Sequence, residues 1–251
     1  LTTLVAVFFV TAVLIFQENM YQWQMQSNKD RFGDWFIMDI GSRQPDSNLT
    51  DHIYIEQPVK VSRSVNVLND DWQSTGFYVG SFSSEFLAQS HIKLDEGRQP
   101  ENSGEIAMDW NTLLTLGYNG EIGESINLKY CDNNSIGNKE KRNTKTYTLV
   151  GIYRNYTNIW NNGKQISSAV VVNSELSQFN YDIRSMFLYP IKPSIKTDDY
   201  KAVFDSIKEK TSKSYTYNSG VYDYKPWGST SIYLYMYLIV MAIGITALSY
   251  Q

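Results

Sequence analysis

Hydrophobic and polar positions are sharply segregated along this chain. Leu1 to Phe16 carries no charged residue, Ile232 to Tyr250 carries none, and every charge lies between them. A helix needs about 20 apolar residues to cross a hydrocarbon core of ~30 Å. The second run has 19 residues and fits, while the first has 16 and starts with Leu1. Both are therefore read as membrane helices cut short, over 1–18 and 231–251. A cleaved signal peptide and a buried core helix are the other readings of the first run. Against it, no basic segment precedes the run and no small-x-small site follows Phe16. Tyr21 and Trp23 also stand where interfacial aromatics are expected, and Tyr222, Tyr224, Trp227, Tyr233, Tyr235 and Tyr237 supply a similar belt at the second run.

Between the runs the pattern changes every few residues. Glu18 to Arg31 extends the first helix, which Gly33 stops. Trp35 to Ile40, Val59 to Leu68 and Gly76 to Gly80 are expected strands, the second because Val59, Val61, Val65 and Val67 recur at a period of two. Ser83 to Ser90 is an expected helix. Glu105 to Met108 is an expected strand, leading into a helix over Trp110 to Leu116 that Asp109 caps and Gly117 ends in a left-handed conformation. Ile126 to Tyr130 and Thr146 to Tyr153 are expected strands around a polar insert, Cys131 to Lys145, whose Asn and Lys content predicts a mobile loop. A strand at Ser168 to Asn173, a helix at Ser174 to Phe179 and a strand at Ile183 to Tyr189 come next. Thr197 is the expected cap of a helix whose Tyr200, Val203, Phe204 and Ile207 share one face, and Tyr215 to Tyr222 is a closing strand. Short strands interleaved with short helices predict an α+β fold. Its expected lobes are a membrane-proximal one, 19–95 with 161–230, and an inserted distal one, 96–160.

Candidate chemistry is sparse. The net charge of −4 gives no basic excess to recommend nucleic acid. His52 and His91 match no metal-ligand spacing, and Cys131 is the only cysteine, with no neighbouring histidine in sequence. There is no Gly-x-Ser-x-Gly elbow, and the Gly-rich segment Gly117 to Ser125 lacks the Lys-Ser/Thr ending of a phosphate-binding loop. Asp70-Asp71, Asp95-Glu96 and Asp198-Asp199 read as solvated surface, since neighbours on a strand face opposite ways. Asn48, Asn133 and Asn155 head glycosylation sequons that matter only in a eukaryotic secretory setting. The tyrosines could recognise peptide or lipid head groups, with core packing as the plainer reading. The chain is thus expected to be no enzyme, with no catalytic residue, metal ligand or cofactor.

One stretch is more specific. Leu94 to Met108, LDEGRQPENSGEIAM, resembles the L-x-x-G-R-x-P-x-x-x-x-E-I signature of MacB-like extracytoplasmic domains in FtsX-like ABC transporter permeases. Its motif positions are Gly97, Arg98, Pro100, Glu105 and Ile106. The family's later landmarks come in order: Leu116-Gly117, then Gly123-Glu124-Ser125-Ile126-Asn127-Leu128, then Tyr147 to Ile152 with Gly151-Ile152. Gly33-Asp34-Trp35 is similar to the start of the first strand in Gram-positive members. Asn155 to Asn158 with Trp160 is similar to the segment after their Gly-Ile strand. Physically, Gly97 permits a conformation closed to other residues, Pro100 stiffens the turn, and Arg98 is placed to pair with a carboxylate. The resemblance implies a bacterial cell-membrane permease subunit with residues 19–230 outside the cell. It implies a cytoplasmic ABC ATPase as partner, and a second permease half or a homodimer. The external domain would couple ATP hydrolysis to export of, or mechanical action on, a peptide, lipid or protein. The alternative is the ligand-binding sensor ectodomain of a membrane receptor.

Overall fold

The computed structural model describes residues 2–132, 138–154, 156–160, 166–179, 184–195, 199–211 and 213–223. Asp30–Asn218 forms one compact unit, and the residues on either side of it form another. The first helix, α1, runs over Thr2–Phe32. It stops where Gly33 takes φ +84°, and the Trp35 indole donates to the carbonyl of Phe32 at 2.7 Å. Among the described residues no helix is long and apolar enough to cross a membrane. The segment read as a membrane helix cut at its start, 1–18, is helical from Thr2, and the same helix continues through polar Gln17, Glu18 and Asn19. The run expected to span at 231–251 lies outside the described residues.

The Asp30–Asn218 unit is an α+β fold built on one mixed sheet. In chain order its elements are β1 (Ile37–Ser42), α2 (Ser47–Thr50), β2 (Val59–Leu68), β3 (Ser74–Ser81), α3 (Ser84–Ser90), β4 (Leu94–Gly97), β5 (Glu105–Asp109), α4 (Trp110–Thr115), β6 (Ser125–Cys131), β7 (Arg142–Tyr153), α5 (Thr157–Trp160), β8 (Ser167–Val170), β9 (Arg184–Tyr189), α6 (Tyr200–Glu209) and β10 (Thr216–Tyr217). A short α7 (Ser219–Tyr222) belongs to the other unit. The strands lie in the order β10-β1-β9-β2-β3-β8-β5-β7-β4, with β6 paired to β2 and β7. The β3–β8 and β5–β7 pairs are parallel, and the others antiparallel.

Both faces of the central strands β5 and β8 are buried, and the period of two sorts their side chains. Ile106 and Met108 of β5 join a cluster with Val65, Val67, Leu113, Tyr147 and Leu149, whereas Ala107 between them joins Trp35, Phe86, Tyr153 and Trp160. On β8 Ala169 and Val170 divide in the same way. Each large side chain so buried stabilises the fold by roughly 1.5–3 kcal/mol. Four tyrosines, Tyr147, Tyr153, Tyr156 and Tyr189, are core residues, as the plainer reading of these side chains expected.

Several expectations are corrected. The polar insert is structured where it is described, because Arg142 to Lys145 pair with Cys131 to Leu128 as a continuation of the β6–β7 hairpin, and Lys139–Lys141 forms a 3-10 turn. Backbone pairing here overrides a composition that reads as loop. Cys131 is therefore a buried strand residue. The cap of α6 is Asp199, whose carboxylate accepts from the Ala202 amide at 2.9 Å, while Thr197 lies outside the described residues. The closing strand is only Thr216–Tyr217, and the segment Ser174 to Phe179 is 3-10 rather than α-helical. Neither α2 nor β4 was expected.

Candidate functional site

The family-like motif forms a corner where β4 ends against β7. Gly97 pairs with Gly151, and Gly97 adopts φ +72°. A Cβ on Gly97 would stand 2.2 Å from the Val150 carbonyl oxygen, and one on Gly151 would stand 2.1 Å from that of Arg98. Two facing glycines thus let the backbones meet at a separation no other pair permits, and the Arg98 amide donates to the Val150 carbonyl at 2.8 Å. The loop then turns at Pro100 and returns as β5.

Arg98 and Glu105 close this turn. The guanidinium donates from Nη1 to Glu105 Oε2 at 2.8 Å and from Nη2 to Oε1 at 2.6 Å, the forked geometry that suits a carboxylate. The backbone amides of Glu101 and Asn102 donate to Oε2 at 2.9 and 3.1 Å, and the Asn102 side-chain amide donates to Oε1 at 3.1 Å. Arg98 foremost, then these amides, holds the Glu105 carboxyl far below the usual carboxylate range. The carboxylate in turn raises the guanidinium's own pKa.

Glu175 grips the same loop from another side. It is fully buried in the 3-10 segment, and its Oε1 accepts from Ser103 Oγ at 2.6 Å, the Gly104 amide at 3.2 Å and Lys145 Nζ at 2.8 Å. Nothing in its sequence context marked it. The other end of β5 carries Asp109, also fully buried. Its Oδ2 accepts from the Thr112 amide at 3.3 Å, capping α4, and from Thr157 Oγ1 at 2.7 Å, while Oδ1 accepts from the Tyr156 amide at 2.9 Å. Burial nonetheless raises the Asp109 pKa, because neutral donors offset only part of the lost hydration. The sequence marked Asp109 as a cap only; its grip on α5 comes from a segment far along the chain.

The remaining motif residues serve packing and turns. Ile106 and Ile152 are buried in the first core cluster. Gly117 ends α4 at φ +81°, and Gly123 at φ +95° donates to the Leu149 carbonyl at 2.8 Å. The structure therefore brings Gly97, Arg98, Glu105 and Gly151 together, with Gly117 and Gly123 bounding the loop after α4. The residues set aside on sequence grounds have structural partners. His91 Nδ1 lies 3.0 Å from Asp30 Oδ1, and His52 stacks edge-on against Tyr54, its pKa lowered by burial and by Lys210 and Lys192. Burial raises the Cys131 pKa. Burial opposes ionisation of Asp46, but Lys213 Nζ at 2.7 Å, the Tyr215 hydroxyl at 2.8 Å and the Asn48 amide at 2.9 Å outweigh it and leave the pKa lowered. Among the described residues no group of three or more His, Cys, Asp or Glu could hold a metal ion. Both carboxylate oxygens of Glu105 and of Asp109 are occupied by structural donors, so the arrangement is suited to fixing a joint.

No family model matches the chain, and no curated protein matches it. Solved structures that it matches include domains of three transport proteins. A permease-protein domain from Porphyromonas gingivalis is 11% identical, with 74% of this chain and 83% of that chain covered and a TM-score of 0.34. The periplasmic region of MacB from Actinobacillus actinomycetemcomitans is 10% identical, with 80% and 96% covered and a TM-score of 0.34. The extracellular domain of the ABC-type transporter YknZ from Gram-positive bacteria is 11% identical, with 72% and 98% covered and a TM-score of 0.33.

Proposed function

We propose that the chain is the extracytoplasmic part of a MacB-like permease subunit of an ABC transporter, working with a cytoplasmic ATPase. The observation that carries this reading is the corner itself: the signature residues Gly97, Arg98 and Glu105 and the later landmark Gly151, far apart in sequence, meet in one joint. In this reading residues 19–95 with 161–230 and residues 96–160 are the two lobes of an external lever, and the run at 231–251 tethers it to the membrane of a Gram-positive cell. Nucleotide-driven movement of the tether would act on an extracellular peptide, lipid or protein, with a second permease half or a second copy completing the assembly.

The test is the complete gene with its neighbours, and then co-expression. The full-length protein should contain further membrane helices, co-purify with an ABC ATPase and alter its ATP turnover. A full-length protein with no further membrane helix and no ATPase partner would overturn the proposal.

A further inference from the structure

Among the described residues of the Asp30–Asn218 unit, four large hydrophobic side chains are exposed, and three of them cluster in α4 and the loop after it. Trp110 is 39% exposed, Leu114 54% and Ile122 43%. Trp110 and Leu114 are one turn apart on α4 and share a face. The Trp110 indole lies over Gly120, where a Cβ would come within 2.4 Å of the ring, and Ile122 reaches over Gly97, where a Cβ would come within 2.9 Å of its Cδ1. Two positive-φ glycines thus make room for the side chains that form the patch. The supporting loop is tied down, since the Glu124 carboxylate accepts from the amides of Asn119 at 3.3 Å, Gly120 at 3.0 Å and Glu121 at 3.3 Å. A patch held this way loses little conformational freedom on binding.

Its surroundings are acidic. Residues 94–124 carry seven acidic residues and one basic residue, Arg98; Glu105 is paired with Arg98, Asp95 with Arg154, and Asp109 is buried, which leaves Glu96, Glu101, Glu121 and Glu124 as the acidic side chains of this segment. Glu96, Glu101 and Glu121 are exposed. We propose that this face docks a polypeptide partner that presents apolar side chains flanked by Lys or Arg. The charge decides among occupants. A second copy related by a two-fold axis would set one acidic rim against the other, and an anionic lipid surface would be repelled. The surface goes beyond the permease reading and does not depend on it, since no ATPase contact enters the argument.

The probe is a labelled amphipathic helical peptide of Leu and Lys, with the same pattern in Leu and Glu as its counterpart, each titrated against the full chain by fluorescence anisotropy. The Leu/Lys peptide should bind and the Leu/Glu peptide should not. Leu114→Gln with Ile122→Gln should weaken binding by about tenfold or more. Glu96→Gln with Glu121→Gln, which leaves the apolar centre intact, should weaken it several-fold and reduce its salt dependence. Equal binding of the two peptides, or binding unchanged in both variants, would overturn the proposal. So would patch-dependent self-association in sedimentation, which assigns the face to a second copy, or patch-dependent binding to neutral phosphatidylcholine vesicles. Failure of the ATPase co-purification with success here would remove the permease reading alone.

Discussion

The two ends of β5 hold carboxylates in opposite circumstances. Glu105 opens the strand, opposed by a full positive charge, and its pKa falls far below the ordinary 4.5. Asp109 closes it, surrounded by amides and a hydroxyl without a cation, and its pKa rises above the ordinary 3.8. Both accept several hydrogen bonds, so the number of donors does not separate them. What separates them is hydration and formal charge: neutral dipoles satisfy a buried carboxylate's oxygens without restoring the solvation of its charge. Glu105 fixes a turn at the surface, and Asp109 ties α4 to α5 in the interior.

The largest effect is expected from Asp109→Ala. It leaves the amides of Thr112, Tyr156 and Thr157 and the Thr157 hydroxyl without their acceptor in a buried place, at a cost of about 3 kcal/mol or more. Urea denaturation measures it, and Asp109→Asn, which keeps one acceptor oxygen, should lose clearly less. Gly151→Ala comes next. It breaks the other end of the comparison without touching a charge, and a Cβ 2.1 Å from the Arg98 carbonyl should cost about 1–3 kcal/mol.

The pH profiles sharpen the contrast, because the two carboxylates should slope in opposite directions. A depressed Glu105 pKa means that its contribution is present above pH 4.5 and is lost as pH falls through the lower folded value. A raised Asp109 pKa means that ionisation opposes folding as pH rises from 3.8 through the higher folded value, and that this opposition is relieved in acid. Wild type should therefore lose its advantage over Glu105→Gln on acidification and gain relative to Asp109→Asn. Parallel profiles would show that the two environments do not differ as described. The smallest effect belongs to Arg98→Lys, which keeps the charge but loses the fork. The thermal midpoint should fall slightly, and NMR titration should place the Glu105 carboxyl closer to its ordinary value.

Local signals in the sequence are legible because local chemistry causes them. Asp109 before an apolar helix and Gly117 after it cap α4 as expected, and the Gly-Arg-x-Pro turn lies where its composition placed it. The surprises came from partners distant in the chain. Arg142 to Lys145 carry no strand-like alternation, and they extend β7 because β6 offers a backbone to pair with. β4 is four residues long, too short for a period to register, and exists because Gly151 opens a place beside β7. Glu175 sits in a polar stretch that reads as surface, and its burial depends on Lys145 and the Ser103–Gly104 turn reaching it. The exposed patch was equally hidden, since Leu113 and Leu114 are adjacent and only the helix direction decides that one is core and the other outside.

The order of strands in the sheet sets a schedule for folding. β9 lies between β1 and β2, with Ile37 paired to Tyr189 and Val59 to Leu188, and β8 lies between β3 and β5. The amino-terminal strands therefore cannot complete their side of the sheet until residues near 189 have been synthesised. Such long loop closures must be met before the contacts that reward them, which places this domain among slow folders. Until then β1 and β2 present unpaired edges, the kind of surface that neighbouring chains can join, so a delay in making the last third of the domain should raise aggregation before it lowers stability.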